Sequence, residues 1–341
     1  MRIPRVKPDR IEFETNGAGV VPDDESLAIE RRLAWILGSP RTGSTWLLRM
    51  LVHPLELSRA PTGLRSVRGS TPPRGRAIVP INESHFPNHL TPLKEIQYRP
   101  EGGAPDPSAF LKNTERRDDP AYCFSEIYAD IWRPHARAMI LARFQAQAER
   151  AVAEHGLDAD PLIVIKEPNG SHGAVPLMEL LPRARLVFLI RDGRDVVDSQ
   201  LALRLTGVRG SKSTGRYERQ RGKWMRRNAW LWVNRMNAVQ VAYEAHPPEL
   251  RFRLRYEDLR AEPYEHLRRL TDFLGLERDD AQLRSAVDAE AFEALPDSQK
   301  GEGRGKRAAR PGLWQERFSD AEKLELAIVM NDKLAELGYE T

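Results

Sequence analysis

The sequence has little cysteine and no long apolar run. Cys123 is the single cysteine among 341 residues, which excludes an internal disulfide framework and gives no metal-site spacing. No stretch approaches the roughly 20 consecutive apolar residues of a membrane-spanning helix. The amino terminus from Met1 to Lys7 is basic but lacks the apolar run of a secretory signal. We therefore expect a protein without a membrane span, and a lone cysteine fits a reducing cytoplasm.

Charge is abundant and unevenly distributed along the chain. Lys and Arg number 53 against 49 Asp and Glu, which gives a formal net charge of +4. Nine basic residues and one acidic residue lie between Arg204 and Arg227, and five basic residues and one acidic residue lie between Lys300 and Arg310. Such clusters favour an anionic ligand: a nucleotide, a nucleic acid or an acidic acceptor. Composition does not choose among these classes.

Short apolar runs alternate with helical stretches. The predicted strands lie at 33–37, 162–165, 186–190 and 251–256. The predicted helices lie at 46–51, 174–181, 195–203, 222–245, 263–274 and 320–337. Apolar runs that alternate with helices are typical of a parallel sheet covered on both faces. We predict a P-loop-type three-layer α/β/α fold, with the ligand at the carboxyl edge of its central parallel sheet.

Two segments, 56–80 and 97–120, do not follow this pattern. They are rich in Pro, Gly, Arg and acidic residues and have no helical or strand period. Long loops of this kind are either functional or disordered. We expect a single domain over 1–341, in which residues 56–150 form helical and loop insertions at the mouth of the site.

The first predicted strand runs into the segment Gly38-Ser-Pro-Arg-Thr-Gly-Ser-Thr45 and then an apolar helix. In such a strand–loop–helix, backbone N–H groups can surround phosphate oxygens. The spacing from Gly38 to Gly43 matches the nucleotide-triphosphate P-loop, but Ser44 stands where that motif requires lysine. The cation lies inside the loop, as Arg41. The loop predicts a phosphate site. A P-loop small-molecule kinase or other NTPase is the alternative, but this loop lacks the lysine that such an enzyme requires.

A second basic element follows the strand at 186–190. Arg191 ends the strand, and Ser199 lies in the next helix, within Arg191-Asp-Gly-Arg-Asp-Val-Val-Asp-Ser199. A guanidinium and a hydroxyl at this spacing can reach one common phosphate. Alone, the segment also fits a salt-bridged helix start. Paired with the first loop, it predicts a ligand that carries a second phosphate.

Together these motifs resemble the sulfotransferases that use 3′-phosphoadenosine 5′-phosphosulfate (PAPS) and release 3′-phosphoadenosine 5′-phosphate (PAP). The resemblance runs from about Leu33 to Tyr339 and is closer to bacterial and tyrosylprotein-type members than to animal cytosolic ones. It implies in-line transfer of the sulfuryl group from PAPS to an acceptor hydroxyl or amine, without a metal. It assigns the 5′-phosphosulfate to residues of the first loop: Arg41, Thr42, Gly43, Ser44, Thr45 and Trp46. Trp46 fits either an adenine platform or a core position of the first helix.

The resemblance assigns further donor contacts. Arg191 and Ser199 match the family's 3′-phosphate element, and Tyr256 in Tyr256-Glu-Asp-Leu259 matches a tyrosine beside the adenine. A basic loop at 300–318, which ends in Gly312-Leu-Trp314, resembles the loop that closes over the 3′-phosphate. Its matching cations are Lys306, Arg307 and Arg310.

The catalytic base departs from the animal cytosolic branch. In Lys166-Glu-Pro-Asn169, Pro168 stands where that branch has its histidine base. The resemblance to the tyrosylprotein branch implies Glu83 instead, with His85 and Glu167 as alternatives. We expect Arg41 and Lys166 to stabilise the charge on the leaving bisphosphate.

The acceptor is open. Phenols, sugars, lipids, natural products and peptide tyrosines all fit, so we expect a small-molecule or glycan/lipid acceptor. A nucleic-acid-binding module would use the two basic clusters, but the sequence has no recognisable recognition helix or stacking platform. We therefore expect no nucleic-acid partner, and the sequence does not predict the oligomeric state.

Overall fold

A computed structural model of the protein describes residues 24–53, 76–90, 118–157, 160–205, 220–294 and 310–341. Its strands are β1 Leu33–Gly38, β2 Ile78–Asn82, β3 Leu162–Lys166, β4 Arg185–Ile190 and β5 Arg251–Arg255. They form a five-stranded sheet in the order β2-β3-β1-β4-β5, and every neighbouring pair is parallel. The predicted central parallel sheet is confirmed.

Helices connect the strands and follow the last one. They are α1 Asp24–Glu30, α2 Ser44–Val52, α3 Pro87–Leu90, α4 Ala129–His155, α5 Ala174–Leu180, α6 Gly193–Leu205, α7 Arg221–Ala245, α8 Tyr256–Ala261, α9 Pro263–Leu274, α10 Asp280–Ala289, α11 Trp314–Arg317 and α12 Asp320–Glu336. Alternate residues of the strands enter different cores. Trp35 packs with α4 to α7 and α12, whereas Ile36 packs with α2, α9 and α10. Helices therefore cover both faces of the sheet, as predicted.

Strand β2 and helix α4 are among the elements that were not individually predicted. Strand β2 begins inside the segment 56–80, where the sequence indicated no strand. Its Pro80 lacks an N–H, and β2 tolerates it because this strand lies at the edge of the sheet. Helix α4 occupies 129–155, where helical and loop insertions were expected without a specific helix. Its buried side chains, which follow helical spacing, are Ala136, Ile140, Leu141, Phe144 and Ala148. Most other positions of α4 are polar or small, so the sequence shows no clear helical spacing of apolar residues.

No helix among the described residues is long and apolar enough to cross a membrane. Most of the segments 56–80 and 97–120 lies outside the described residues. Residues 118–157 fold as a turn, a short 3₁₀ helix and α4. The proposed insertion at 56–150 therefore contains a regular helical part.

Gly38 ends β1 in a position where a side chain has no room. A Cβ there would lie 2.3 Å from the carbonyl oxygen of Leu189 on β4. We predict that Gly38→Ala lowers the free energy of unfolding by about 1–3 kcal/mol, because a backbone atom cannot move aside. Urea midpoints measure the change. An unchanged midpoint would contradict the prediction.

Gly222→Ala is the matched control. Its Cβ would lie 3.7 Å from the flexible side chain of Arg226, which is an ordinary contact. Alanine is also preferred to glycine in a helix by up to about 1 kcal/mol. This variant should keep or raise the urea midpoint.

Candidate active site

The first predicted loop joins β1 to α2 in a left-handed turn. Arg41 has φ 75° and Gly43 has φ 87°. Gly43 is the N-cap of α2 and makes no side-chain capping bond, so backbone N–H groups are presented at this helix start. The Thr42 hydroxyl donates to the Ser39 carbonyl at 2.8 Å and fixes the turn from inside. This conformation is suited to binding an anion.

The two predicted phosphate motifs meet in the structure. The Nε of Arg41 donates to the Ser199 hydroxyl at 2.9 Å, and an Nη of Arg191 donates to the Arg41 carbonyl oxygen at 2.9 Å. Arg41 thus reaches across from the first loop to the second motif. The first loop and the Arg191–Ser199 element form one basic surface.

Tyr256 and Trp46 form an aromatic wall beside this surface. The Arg191 guanidinium lies 4.3 Å from the centre of the Tyr256 ring, and the Tyr256 and Trp46 rings meet edge to face at 6.0 Å. A Cβ on Gly43 would lie 2.6 Å from the Tyr256 ring, so only glycine allows this approach. Trp46 is half-buried and donates to the Glu290 carbonyl at 2.9 Å. Tyr256, predicted as the end of β5, instead begins α8.

A lysine–glutamate pair lies at the carboxyl ends of β2 and β3. The Lys166 ammonium donates to Glu83 Oε1 at 2.8 Å, and the Asn169 amide donates to Glu83 Oε2 at 2.7 Å. Burial alone would raise the pKa of Glu83. The hydrogen bonds and charge of Lys166, the Asn169 amide and the nearby His85 outweigh burial and hold this pKa below its ordinary value. Glu83 is therefore ionised at neutral pH.

The two alternative bases have different surroundings. Glu167 is fully buried and accepts from the Ser84 hydroxyl at 3.0 Å, from Gly170 N–H at 3.0 Å and from His85 N–H. These bonds tie the Glu83 loop to the turn after β3. His85 has an exposed ring and a left-handed backbone, with φ 58°. Glu167 thus holds the Glu83 loop in place. Glu83 is the more exposed of the two carboxylates.

Sequence reasoning missed two residues that support this pair. Asn169 donates to Glu83, and the signal for it was its place in the turn three residues after the end of buried β3. Arg235 on α7 is buried and lies 3.5 Å from the Asn169 carbonyl oxygen. Burial, with help from the charge of Arg227 and against that of Glu167, lowers the pKa of Arg235 to about 10. It therefore stays cationic at neutral pH.

Ser171 connects the end of β1 to the residue that follows β3. Its hydroxyl accepts from Gly38 N–H at 2.9 Å and donates to the Glu167 carbonyl at 2.9 Å. Ser171 therefore holds the start of the loop 38–45 against the turn after β3.

The basic loop predicted at 300–318 is described only from residue 310. Lys306 and Arg307 lie outside the described residues. Arg310 is exposed and pairs with Glu316. The backbone of the following segment is bound by Asp195 of α6, which accepts from Gly312 N–H at 2.7 Å and from Trp314 N–H at 3.3 Å.

Comparison with known proteins identifies the family. A family model described as "Sulfotransferase family" matches residues 34–280, which is more than half of the chain. No curated protein sequence matches significantly.

Several solved structures are similar over most of the chain. They include mouse sulfotransferase SULT7A1 complexed with PAP (10% identity, 92% of this chain and 90% of that chain, TM-score 0.47). Sulfotransferase STF9 from Mycobacterium avium matches with 16% identity over 91% of this chain and 77% of that chain, with TM-score 0.47. These likenesses are too distant to carry an argument, and the assignment rests on the family match. The chain belongs to the sulfotransferase family.

Proposed function

We propose that this sulfotransferase uses PAPS as its donor and releases PAP. The observation that carries the proposal is the contact between the two phosphate motifs, in which Arg41 bonds Ser199 and Arg191 bonds the Arg41 carbonyl. A donor with phosphate groups at the 3′ and 5′ positions of one ribose requires two such subsites side by side. A triphosphate requires one loop with lysine, and Ser44 stands in that place.

In this proposal the 5′-phosphosulfate binds the N–H groups from Thr42 to Trp46, and the 3′-phosphate binds Arg191 and Ser199. The Trp46 ring, which is half-buried, would lie beside the adenine, while Tyr256 is buried and backs this position with its face against Arg191. Lys306, Arg307 and Arg310 would add positive charge over the 3′-phosphate. The acceptor is a small molecule, glycan or lipid with a hydroxyl or amine, and residues 56–150 shape its pocket. A cytoplasmic location belongs to the same proposal.

The transfer is an in-line displacement at sulfur. The acceptor oxygen forms the new S–O bond while the bond to the bridging oxygen of the donor breaks and PAP leaves. Glu83 takes up the proton that the acceptor hydroxyl loses. Lys166 and Arg41 stabilise the charge on the departing oxygen. Lys166 is the better proton donor of the two cations, because a guanidinium does not readily deprotonate.

The Lys166–Glu83 pair fits this division of work. Lys166 is nearly buried, with 3% of its side chain exposed, whereas Glu83 retains 26%. The carboxylate can therefore meet an incoming acceptor while the ammonium remains inside. The pKa of Glu83 lies below its ordinary value, so the side chain is a carboxylate at neutral pH and has a free proton-accepting form.

Arg191→Ala should lower the affinity for PAP by about ten- to a hundredfold, because a charge-assisted contact to the 3′-phosphate is lost. Adenosine 5′-monophosphate (AMP), which lacks that phosphate, should lose much less affinity, because only the contact of Arg191 with the Arg41 carbonyl reaches the loop that binds it. Calorimetric titration of both nucleotides measures the difference. Arg150→Ala is the control, because Arg150 is an exposed arginine paired with Glu154 on α4.

Equal losses for PAP and AMP would remove Arg191 from the 3′-phosphate site. Tight binding of ATP with magnesium, together with no binding of PAP to the unmodified protein, would instead favour the kinase alternative and overturn the proposed donor.

Glu83→Gln should reduce turnover by about 10²–10⁴-fold, because glutamine cannot accept the acceptor proton. PAP affinity should be preserved. Single-turnover assays with a donor-coupled acceptor screen, read by mass spectrometry, measure the loss. Near-normal turnover in this variant, with a large loss in His85→Gln, would move the base to His85.

A further inference from the structure

A buried carboxylate lies where the proposed donor site calls for positive charge. Asp195 lies in the first turn of α6, and only 1% of its side chain is exposed. Its Oδ2 lies 3.9 Å from an Nη of Arg191, the proposed 3′-phosphate ligand. A negative charge this close to a bound dianion should weaken binding by simple Coulomb repulsion. The position of Asp195 therefore needs another reason.

The contacts of Asp195 supply that reason. Oδ2 also accepts from Gly312 N–H at 2.7 Å, and Oδ1 accepts from Trp314 N–H at 3.3 Å. Burial raises the pKa of Asp195, while the charge of Arg191 and these N–H groups act against the rise. One carboxylate thus connects the guanidinium at the end of β4 to the backbone of the segment Gly312–Arg317.

Neighbouring side chains of α6 hold the same segment. Asp198, one turn further along, lies 3.6 Å from an Nη of Arg317. The Arg194 guanidinium lies 4.1 Å from the centre of the Trp314 ring and also donates to Asp192. The segment is therefore held against the helix that carries Ser199 at several points, with Asp195 as the contact closest to Arg191.

We propose that Asp195 is a positioning residue that couples Arg191 to the segment Gly312–Arg317 and thereby sets the preference for a donor with a 3′-phosphate. This inference rests on the proposed function. Asp195 restrains the guanidinium from the side of α6 while Tyr256 lies against its face. The fixed segment supplies a second boundary to the same subsite.

The proposal and the simple charge argument predict opposite signs. If Asp195 only adds negative charge, Asp195→Asn should tighten PAP binding. If Asp195 positions Arg191, the same variant should weaken PAP. Asparagine has one acceptor oxygen, and its NH₂ group would face an N–H donor of the segment.

The test compares PAP and AMP affinities by calorimetric titration of the full chain. We expect Asp195→Asn to lower the affinity for PAP by about tenfold or more and the affinity for AMP by less than about twofold. The reason is that the hydrogen bonds and ion pair of the Asp195 carboxylate are lost at the 3′-phosphate subsite only. Tighter PAP binding, or equal weakening of both nucleotides, would overturn the proposal.

Glu30→Gln is the matched control. Glu30 is a fully buried carboxylate that pairs with Arg137 and accepts from Arg183 N–H, which is the same kind of bonding as at Asp195. It precedes β1 and so lies at the opposite edge of the sheet. This variant should keep the wild-type ratio of PAP to AMP affinity, and an equal loss of preference would show that the effect is not local.

Gly312→Ala tests the coupling from the other side if Asp195→Asn does not fold. Gly312 has φ 79°, and a Cβ there meets nothing within 4 Å, so backbone strain is the sole local cost. This variant too should lose affinity for PAP but not for AMP. An unchanged ratio of PAP affinity to AMP affinity would overturn the proposal. If the unmodified protein itself does not prefer PAP to AMP, the proposed donor fails, which is a separate outcome.

Discussion

The parallel pairing of β3 with both β2 and β1 is the constraint on which the site depends. In this register Lys166 stands beside Asn82 on one side and Ile36 on the other. The pairing continues beyond the strands, since Glu83 N–H donates to the Lys166 carbonyl at 2.8 Å and Glu167 N–H to that of Ile36 at 3.0 Å. The segments that follow these three strands therefore leave the sheet at one edge, where they can share one ligand.

Backbone strain is concentrated at the same edge. Among the described residues, the non-glycine residues with positive φ are Arg41, Glu83 and His85. Each such conformation costs on the order of 1–3 kcal/mol and persists only where the surroundings enforce it. Glu167 enforces two of them by binding the Glu83 loop through His85 N–H, and Arg191 binds the carbonyl of the third. The strain places a carboxylate and a guanidinium that relaxed loops would not hold in position.

The sequence was most informative where function is local. The meeting of the loop 38–45 with Arg191 could be predicted because each motif follows its own strand, and a parallel sheet brings strand ends together. Strand β2 was missed because Pro80 argues against a strand until its edge position is known. Asn169 and Asp195 were missed for another reason. Their partners, Glu83 and the backbone of Gly312, are distant in sequence, so only the folded chain reveals the bonds.

The arginine in the first loop gains a physical explanation from the contact with Ser199. A guanidinium carries five N–H donors on three nitrogens, so its Nε can bond one group while its Nη atoms address another. A lysine ammonium has its donors on a single nitrogen and acts as a point charge. Arg41 can therefore belong to the loop and to the Arg191–Ser199 element at once. The cation that lies inside this loop, in place of the later lysine of a triphosphate-binding loop, is thus also the residue that joins the two proposed phosphate subsites.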